Sequence, residues 1–303
     1  MATPYLLHHL LEAATVTDPS KEAVVDLTGG LAAARRSLTY ETFYGMAAHC
    51  SVVLQAGGIE RGDRVAIYLP KSAEEAAGSF AASMAGGVFV DVNSLLVGHQ
   101  VAHILSDCGA KWLITSVRDW KRVREDVARV ESLRCVFFVD EGVNEPQERV
   151  QTVCNVMRQS DERPQPSLAI GEDLAGILYT SGSTGKPRGV MLSHRNLLAG
   201  SRIVSNYLEL GSGERILSIL PFSFDYGFNQ LLTTVQHSAT IVLLQYRFPA
   251  EIVRTLAAER ITGLAGVPLI WAGLVHHTSG LSDTELPHLR YVTNSGGAVP
   301  TAQ

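Results

Sequence analysis

The segment from residue 180 to residue 189, TSGSTGKPRG, follows an apolar run and combines glycines, hydroxyl residues and a lysine. Glycine permits positive φ angles and close backbone approach, so successive N–H groups can point at one anion. The hydroxyl side chains add donors, and Lys186 adds a mobile positive charge. This combination favours a site for the phosphate tail of a nucleotide. The residues expected to contact the phosphates are Thr180, Ser181, Gly182, Ser183, Thr184, Gly185 and Lys186.

A flexible surface turn is the alternative explanation of this segment, because Gly and Ser are common in turns. The apolar run before the loop and the sequence KPRGV within and after it favour the binding site. Spacing excludes a Walker A loop, since Pro187 follows Lys186 where Ser or Thr is needed, and Thr180 stands five residues before Gly185 where glycine is needed. We therefore expect a phosphate loop of another kind.

The elements that must position this loop alternate between strand-like and helix-like patterns. Strand-like runs such as VFVDV, KWLITS and CVFFVD are continuously apolar, which is typical of parallel strands covered by helices on both faces. Ser72 and Glu75 form a capping box at the start of an alanine-rich helix. Further helices are expected at about residues 97–107, 117–130, 196–208, 227–235 and 249–260.

These patterns predict an α/β fold with two successive lobes, each a mainly parallel sheet flanked by helices. Residues 141–171 are polar and contain proline, which is typical of a linker. We expect the first subdomain to cover residues 1–165. The second, residues 166–303, would carry the phosphate loop.

The charge and the N-terminal sequence argue against some classes of partner and location. The net charge of −5 and the absence of runs of like charge argue against a nucleic-acid partner. The N-terminal segment has no basic region, and His8, His9 and Glu12 interrupt its apolar residues, so we expect neither a signal peptide nor a membrane span. A cytoplasmic location is the expectation that follows.

The stretch YTSGSTGKPRGVMLSH resembles the signature of the adenylate-forming superfamily, which includes acyl-CoA synthetases, peptide-synthetase adenylation domains and firefly luciferase. Further stretches agree in order and spacing: LTYETF, ERGDRVAIYLP, MAGGVFVDVN, LPFSFDYG and NSGGAVP. The resemblance covers essentially the whole chain. It implies that Thr180 to Lys186 hold the pyrophosphate of ATP, with Lys186 as the catalytic residue, while a carboxylate attacks the α-phosphate to give acyl-AMP. It also implies ATP and Mg²⁺ as cofactors and a thiol as acyl acceptor.

The stretch LPFSFDYGFNQ resembles the family segment that forms one wall of the acid pocket, so Phe224, Asp225 and Asn229 are the expected substrate-pocket residues. Many acyl-CoA synthetases have histidine at the position of Phe224, whereas amino-acid adenylation domains have Phe-Asp at this pair. In those domains the aspartate pairs with the substrate ammonium, because a buried ammonium needs a nearby anion. Asp225 therefore favours an amino acid. The alternative is that Asp225 only caps a helix.

The loop NSGGAVP follows a strand-like run and resembles the family loop whose backbone lines the adenine and the acyl group. Its expected contact residues are Ser295, Gly296, Gly297 and Ala298. A plain strand-to-helix turn is the alternative. His276 and His277 lack metal-ligand spacing, and we assign no metal ligand in this chain from the sequence.

The expected activity is ATP-dependent activation of a carboxylic acid, a small amino acid such as proline, for a carrier-protein thioester. Two alternatives stay open: an AMP-forming acyl-CoA ligase for a fatty or other organic acid, and a non-catalytic nucleotide-binding fragment. The acceptor is accordingly the thiol of a carrier protein or of coenzyme A. The resemblance implies that the chain is the N-terminal portion of such an enzyme, before its small C-terminal domain. We expect this portion to be inactive alone.

Overall fold

A computed structural model describes residues 3–29, 34–141, 151–153, 155–158, 161–180 and 187–299. Its helices are α1 (Leu7–Thr17), α2 (Tyr40–Ala56), α3 (Ala73–Met84), α4 (Gly98–Cys108), α5 (Val117–Val127), α6 (His194–Tyr207), α7 (Asp225–Gln236), α8 (Pro249–Ala258) and α9 (Pro268–Val275), with short 3₁₀ helices at His277–Ser279 and Leu281–Asp283. Its strands are β1 (Glu22–Asp26), β2 (Arg36–Thr39), β3 (Arg64–Tyr68), β4 (Val88–Asp91), β5 (Trp112–Thr115), β6 (Cys135–Phe138), β7 (Gln151–Val153), β8 (Leu174–Thr180), β9 (Arg188–Ser193), β10 (Arg215–Ser218), β11 (Thr240–Leu243), β12 (Gly263–Gly266) and β13 (Tyr291–Asn294).

The chain forms two compact units, Met1–Ala13 with Glu41–Ala199 and Ala14–Tyr40 with Gly200–Gln303. The first unit contains a sheet of strand order β7-β6-β5-β3-β4-β8-β9, parallel except for the antiparallel pair β8–β9. Strands β4, β5 and β6 are buried along their whole length, which explains their continuously apolar sequences. Trp120 and Phe138 pack edge to face in the core of this unit.

The second unit contains a sheet of order β13-β12-β10-β11-β1-β2, parallel except for the pair β1–β2. Its core is built from apolar residues of the central strands, among them Leu217, Val242 and Leu264. Tyr40 is buried, and its hydroxyl donates to the carbonyl of Ala239 at 2.7 Å. The expected α/β class with mainly parallel sheets is confirmed.

The division into units differs from the expected boundary at residue 165, because β8 pairs with β4 and thereby joins the first sheet. Residues 161–170, in the expected linker, form no helix or strand. The expected cap of α3 is present, since the Ser72 hydroxyl accepts a hydrogen bond from the Glu75 backbone N–H at 3.2 Å. Among the described residues no helix is long and apolar enough to cross a membrane.

Candidate active site

The phosphate loop connects β8 and β9 in the first unit. Thr180, the last residue of β8, pairs with Arg188, the first residue of β9, and both are exposed. Ser181 to Lys186 lie outside the described residues, so their expected phosphate contacts stay a prediction. The parallel neighbour of β8 is β4, so β8 ends with Thr180 at the carboxyl edge of parallel strands. This edge is where open α/β sheets commonly bind ligands.

The strand before the loop is held by a hydrogen bond from outside the sheet. The hydroxyl of Tyr179 donates to a carboxylate oxygen of Asp107 at 2.5 Å, and Asp107 belongs to α4. Burial, followed by the hydrogen bond to the Asp107 carboxylate, raises the pKa of Tyr179, so the phenol stays protonated and keeps donating. This contact fixes the end of β8 directly before Thr180.

His194, in the LSH stretch after β9, has a structural environment. The side chain is buried, and its Nδ1 accepts the backbone N–H of Leu7 at 3.0 Å. Burial lowers the pKa of His194 to about 4, although the nearby Asp173 charge opposes that shift. The imidazole is therefore neutral near pH 7 and serves as an acceptor that secures the start of α1.

The expected acid-pocket segment forms the start of α7 in the second unit. Phe224 is the N-cap residue and makes no side-chain capping bond, whereas Asp225 is the first helical residue. The Asp225 carboxylate is exposed and accepts the backbone N–H of Tyr226 at 2.8 Å. A carboxylate in the first turn is also favoured by the helix dipole. The capping alternative places Asp225 at the N-cap of a helix, whereas in the structure it is the residue directly after the N-cap. Its charge is exposed to solvent.

Gly227 lets α7 begin directly against the preceding loop. A Cβ atom at this position would lie 2.3 Å from the carbonyl oxygen of Pro221 and 2.9 Å from that of Leu220. Contacts this short do not occur with real Cβ atoms, so the close approach requires glycine. The glycine at the end of the LPFSFDYG segment is therefore required by the packing of α7 against the loop before it.

A small cavity of about 20 Å³, partly open to solvent, lies in the second unit, beside α7. Of the three residues expected in the acid pocket, Asn229 lines this cavity, but Phe224 and Asp225 do not. The remaining lining residues come from α6, α7 and four neighbouring segments: Val204, Tyr207, Leu208, Leu210, Ile216, Tyr226, Gln230, Thr233, Ala265, Tyr291 and Thr293. None of these side chains carries a charge: each is either apolar or polar and neutral.

Two of the lining residues are joined across the cavity wall, since the hydroxyl of Tyr226 donates to Oγ1 of Thr293. Sequence reasoning missed both residues. A signal for the first was present, because Tyr226, Asn229 and Thr233 recur at helical spacing on one face of α7. No comparable signal identified Thr293, whose place depends on the pairing of β12 with β13.

The NSGGAVP loop continues directly from β13. Gly296 has φ +79°, a left-handed conformation that favours glycine, and Gly296, Gly297 and Ala298 are exposed while Ser295 is half-buried. The side chain of Asn294 donates to the carbonyl of Gly297 at 2.7 Å. The loop therefore presents ordered, accessible backbone next to a strand that lines the cavity.

Trp271 supports the same loop. Its indole N–H donates to the side-chain oxygen of Asn294 at 2.9 Å. Sequence reasoning could not identify this contact, because nothing along the chain indicates that α9 and the end of β13 are neighbours. The pair Trp271 and Asn294 fixes the path of the backbone before Ser295.

The family model described as AMP-binding enzyme matches residues 11–303. The chain is 26% identical over 297 residues to a long-chain-fatty-acid–CoA ligase of Bacillus subtilis (strain 168), covering 88% of this chain and 52% of the relative. It is 30% identical over 266 residues to a feruloyl-CoA synthase of Amycolatopsis sp, covering 87% and 50%. It is 28% identical over 268 residues to gramicidin S synthase 2 of Brevibacillus brevis, covering 88% and 6%. The chain thus spans about half the length of the two single-activity relatives.

The fold is similar to those of solved structures. The inhibitor-bound N-terminal domain of FACL13 from Mycobacterium tuberculosis matches with a TM-score of 0.82 and 22% identity, over 98% of this chain and 71% of that chain. VinN in complex with L-aspartate matches with a TM-score of 0.81 and 22% identity, over 98% and 70%. At this level of identity the likeness concerns the fold.

Proposed function

Because this chain belongs to the AMP-binding enzyme family, we propose that it takes part in activating a carboxylic acid as acyl-AMP. A carboxylate oxygen of the acid attacks the α-phosphorus of ATP, and the bond to the β-phosphate breaks as pyrophosphate leaves. An acceptor thiol then attacks the acyl carbonyl, and AMP leaves. Fatty-acid and feruloyl-CoA ligases and a peptide synthase among the relatives support this two-step scheme.

Two segments of this chain are proposed to bind different parts of the substrates. Thr180 to Lys186 would hold the β- and γ-phosphates, and the position of the loop at the carboxyl edge of β4 and β8 fits an anion site. Ser295 to Ala298 would contact the adenine and the acyl group through their accessible backbone. Mg²⁺ would supply positive charge at the phosphates, and none of the described residues is assigned to hold it.

We further propose that the acid is a small amino acid and that Asp225 binds its ammonium group. The observation that carries this proposal is that Asp225 lies one helical turn before Asn229, which lines the cavity. Residues four apart on a helix are neighbours on one face, so the proposal puts the exposed carboxylate on the same face of α7 as Asn229. The cavity itself is uncharged and suits a small side chain, for which proline is one candidate. A carrier-protein thiol would be the acceptor.

An acyl-CoA ligase for a fatty or aromatic acid is the second candidate function. The wholly neutral lining of the cavity favours it, because an apolar acyl chain would need no charged partner. The two candidates differ in what Asp225 contributes, since a fatty or aromatic acid brings no ammonium group.

ATP–pyrophosphate exchange by the full-length protein separates the two candidates. Amino acids, fatty acids and aromatic acids are supplied in turn to the wild-type protein and to the Asp225→Ala variant. We expect amino-acid-dependent exchange, and a loss of roughly a hundredfold in kcat/KM in the variant, because the bound ammonium loses the anion proposed to pair with it. Asp283→Ala is the matched control, since Asp283 is an exposed aspartate in the same unit.

Exchange with fatty or aromatic acids alone would replace the amino-acid proposal by the CoA-ligase alternative. Amino-acid exchange that is equal in wild type and Asp225→Ala would overturn the role of Asp225. Absence of exchange with every acid, in a protein that binds ATP, would support the non-catalytic alternative.

A further inference from the structure

A cluster of potential metal ligands lies on α1, outside the candidate active site. His8, His9 and Glu12 each offer one ligand atom, and these atoms all lie within 4.8 Å of one another. His8 and Glu12 are one helical turn apart and therefore share a face of α1. Across the part of the chain that the structure describes, this is the one group of three such side chains.

His8 is held in an orientation suited to a ligand. Its Nδ1 lies 2.9 Å from the hydroxyl oxygen of Ser83, and the same oxygen accepts the backbone N–H of His8 at 3.4 Å. Both His8 and Ser83 are buried. The Ser83 hydroxyl can accept from Nδ1 or donate to it, and when the ring proton is on Nδ1 the lone pair of Nε2 is free to bind a metal ion. Metal-binding histidines commonly have their second nitrogen fixed in this way.

Glu12 is the acidic member of the cluster. The side chain is half-buried, and among the described residues no hydrogen bond or ion pair of its carboxylate is found. Its negative charge is therefore partly removed from water. A cation placed between Glu12 and the two imidazoles would offset that desolvation.

His9 is the most weakly held of the three. Its Nδ1 accepts the backbone N–H groups of Tyr5 and Leu6 at 3.5 and 3.4 Å, which are long for hydrogen bonds of this type. Its ring stands edge to face against that of His8, with 4.6 Å between the centroids. A metal ion can therefore recruit a nitrogen of this ring with little loss of existing hydrogen bonding.

We propose that His8, His9 and Glu12 bind one divalent transition-metal ion of the zinc class. Imidazole nitrogen and carboxylate oxygen are common zinc ligands, whereas Mg²⁺ prefers oxygen ligands, so this site is distinct from the Mg²⁺ that accompanies ATP. Tetrahedral coordination at about 2.0–2.2 Å separates ligand atoms by about 3.4 Å, so the side chains close by about an ångström on binding. Three protein ligands leave a fourth position for water. The proposal is independent of the proposed function.

The first test uses the untagged 303-residue chain, freed of metal by a chelator. Calorimetric titration with ZnCl₂ near pH 7.5 should give one equivalent of tight binding. Glu12→Gln and His9→Gln should each weaken that binding at least tenfold, and circular dichroism shows that each variant is folded. Two variants are used so that the other decides if one fails to fold. His8 is left intact because its burial against Ser83 makes it part of the core.

The matched control is the double variant His276→Gln/His277→Gln, which removes an exposed pair of histidines whose ring centroids lie 4.2 Å apart. It should retain the full equivalent of zinc. Cobalt(II) gives a second readout, since visible d–d absorption of the bound ion should appear in wild type and disappear in Glu12→Gln. No stoichiometric binding by wild type, loss of binding in the control, or unchanged binding in both folded α1 variants would each overturn the proposal.

Discussion

Replacing Glu75 by glutamine tests how a buried pair of carboxyl groups affects stability. Glu75 on α3 and Asp91 at the end of β4 are both buried, and Oε2 of Glu75 has no hydrogen-bond partner. Ser79 donates to Asp91 at 3.3 Å. Burial raises the pKa of Asp91 well above its ordinary value, and the charge of Glu75 raises it further. Burial also raises the pKa of Glu75, while the charge of Lys71 opposes that shift.

The magnitude follows from Glu75, whose pKa rises from 4.5 to about 7. At about 1.4 kcal/mol for each tenfold change, ionising this group in the folded protein costs about 3 kcal/mol. A raised folded-state pKa means that the folded protein binds the proton more tightly than the unfolded chain. The stabilisation is therefore complete below pH 4.5 and is lost as the pH rises through 7. Glutamine at this position does not titrate, so the variant does not show this loss of stability as the pH rises.

Urea unfolding of wild type and Glu75→Gln at several pH values between 4.5 and 8 measures this effect. The free energy of unfolding of the variant, relative to wild type, should rise by about 3 kcal/mol across that range. Groups that titrate equally in both proteins cancel in the comparison, whereas Asp91 does not cancel: the variant lacks the Glu75 charge that raises the pKa of Asp91, which adds to the rise. Glu74→Gln, on the same helix but only half-buried, serves as the control for the change from carboxylate to amide. A flat difference for Glu75→Gln would refute the reasoning.

The remaining predictions concern His194 and Gly227. Burial lowers the pKa of His194 to about 4, below its ordinary value of 6.5, so its contribution to stability is present above pH 6.5 and is lost as the pH falls through 4. The stability of His194→Gln relative to wild type should therefore rise by about 3 kcal/mol on acidification, with exposed His99→Gln as a control that stays level. Gly227→Ala should lower the free energy of unfolding by about 1–3 kcal/mol through its contact with the Pro221 carbonyl. Gly213→Ala, where nothing lies within 4 Å, should leave stability unchanged or raise it by up to about 1 kcal/mol, and equal effects at the two glycines would contradict the packing argument.

Local sequence patterns predicted those helices and strands that are determined by interactions between neighbouring residues. The Ser72 cap, the continuously apolar strands β4 to β6 and the amphipathic α5 were all visible in the sequence, because capping and burial act over a few neighbouring residues. The boundaries shifted by a turn or less. The expected helix at 227–235 begins at Asp225, since its first turn is stabilised by a carboxylate rather than by apolar spacing.

Long-range pairing could not be predicted. Strand β1 joins the sheet of the second unit through β11, and nothing in residues 22–26 specifies that partner. For the same reason Asn229 could be placed on α7, but its neighbours Tyr226 and Thr293 in the cavity wall were not identified. The expected contacts of Ser181 to Lys186 stay predictions from the motif.

The pairing of β1 with β11 also sets the order in which the chain can fold as it is synthesised. Val24 pairs with Ile241, which leaves the ribosome more than two hundred residues later. At a synthesis rate of about 5–20 residues per second, the hairpin of β1 and β2 waits about 10–40 s for the strand beside it. During that time residues 41–199 are complete and free to collapse, whereas the apolar side chains of Ala23, Val24 and Val25 stay uncovered. Newly made protein should therefore depend on a holding chaperone during this interval, and slowing translation should lower its soluble yield.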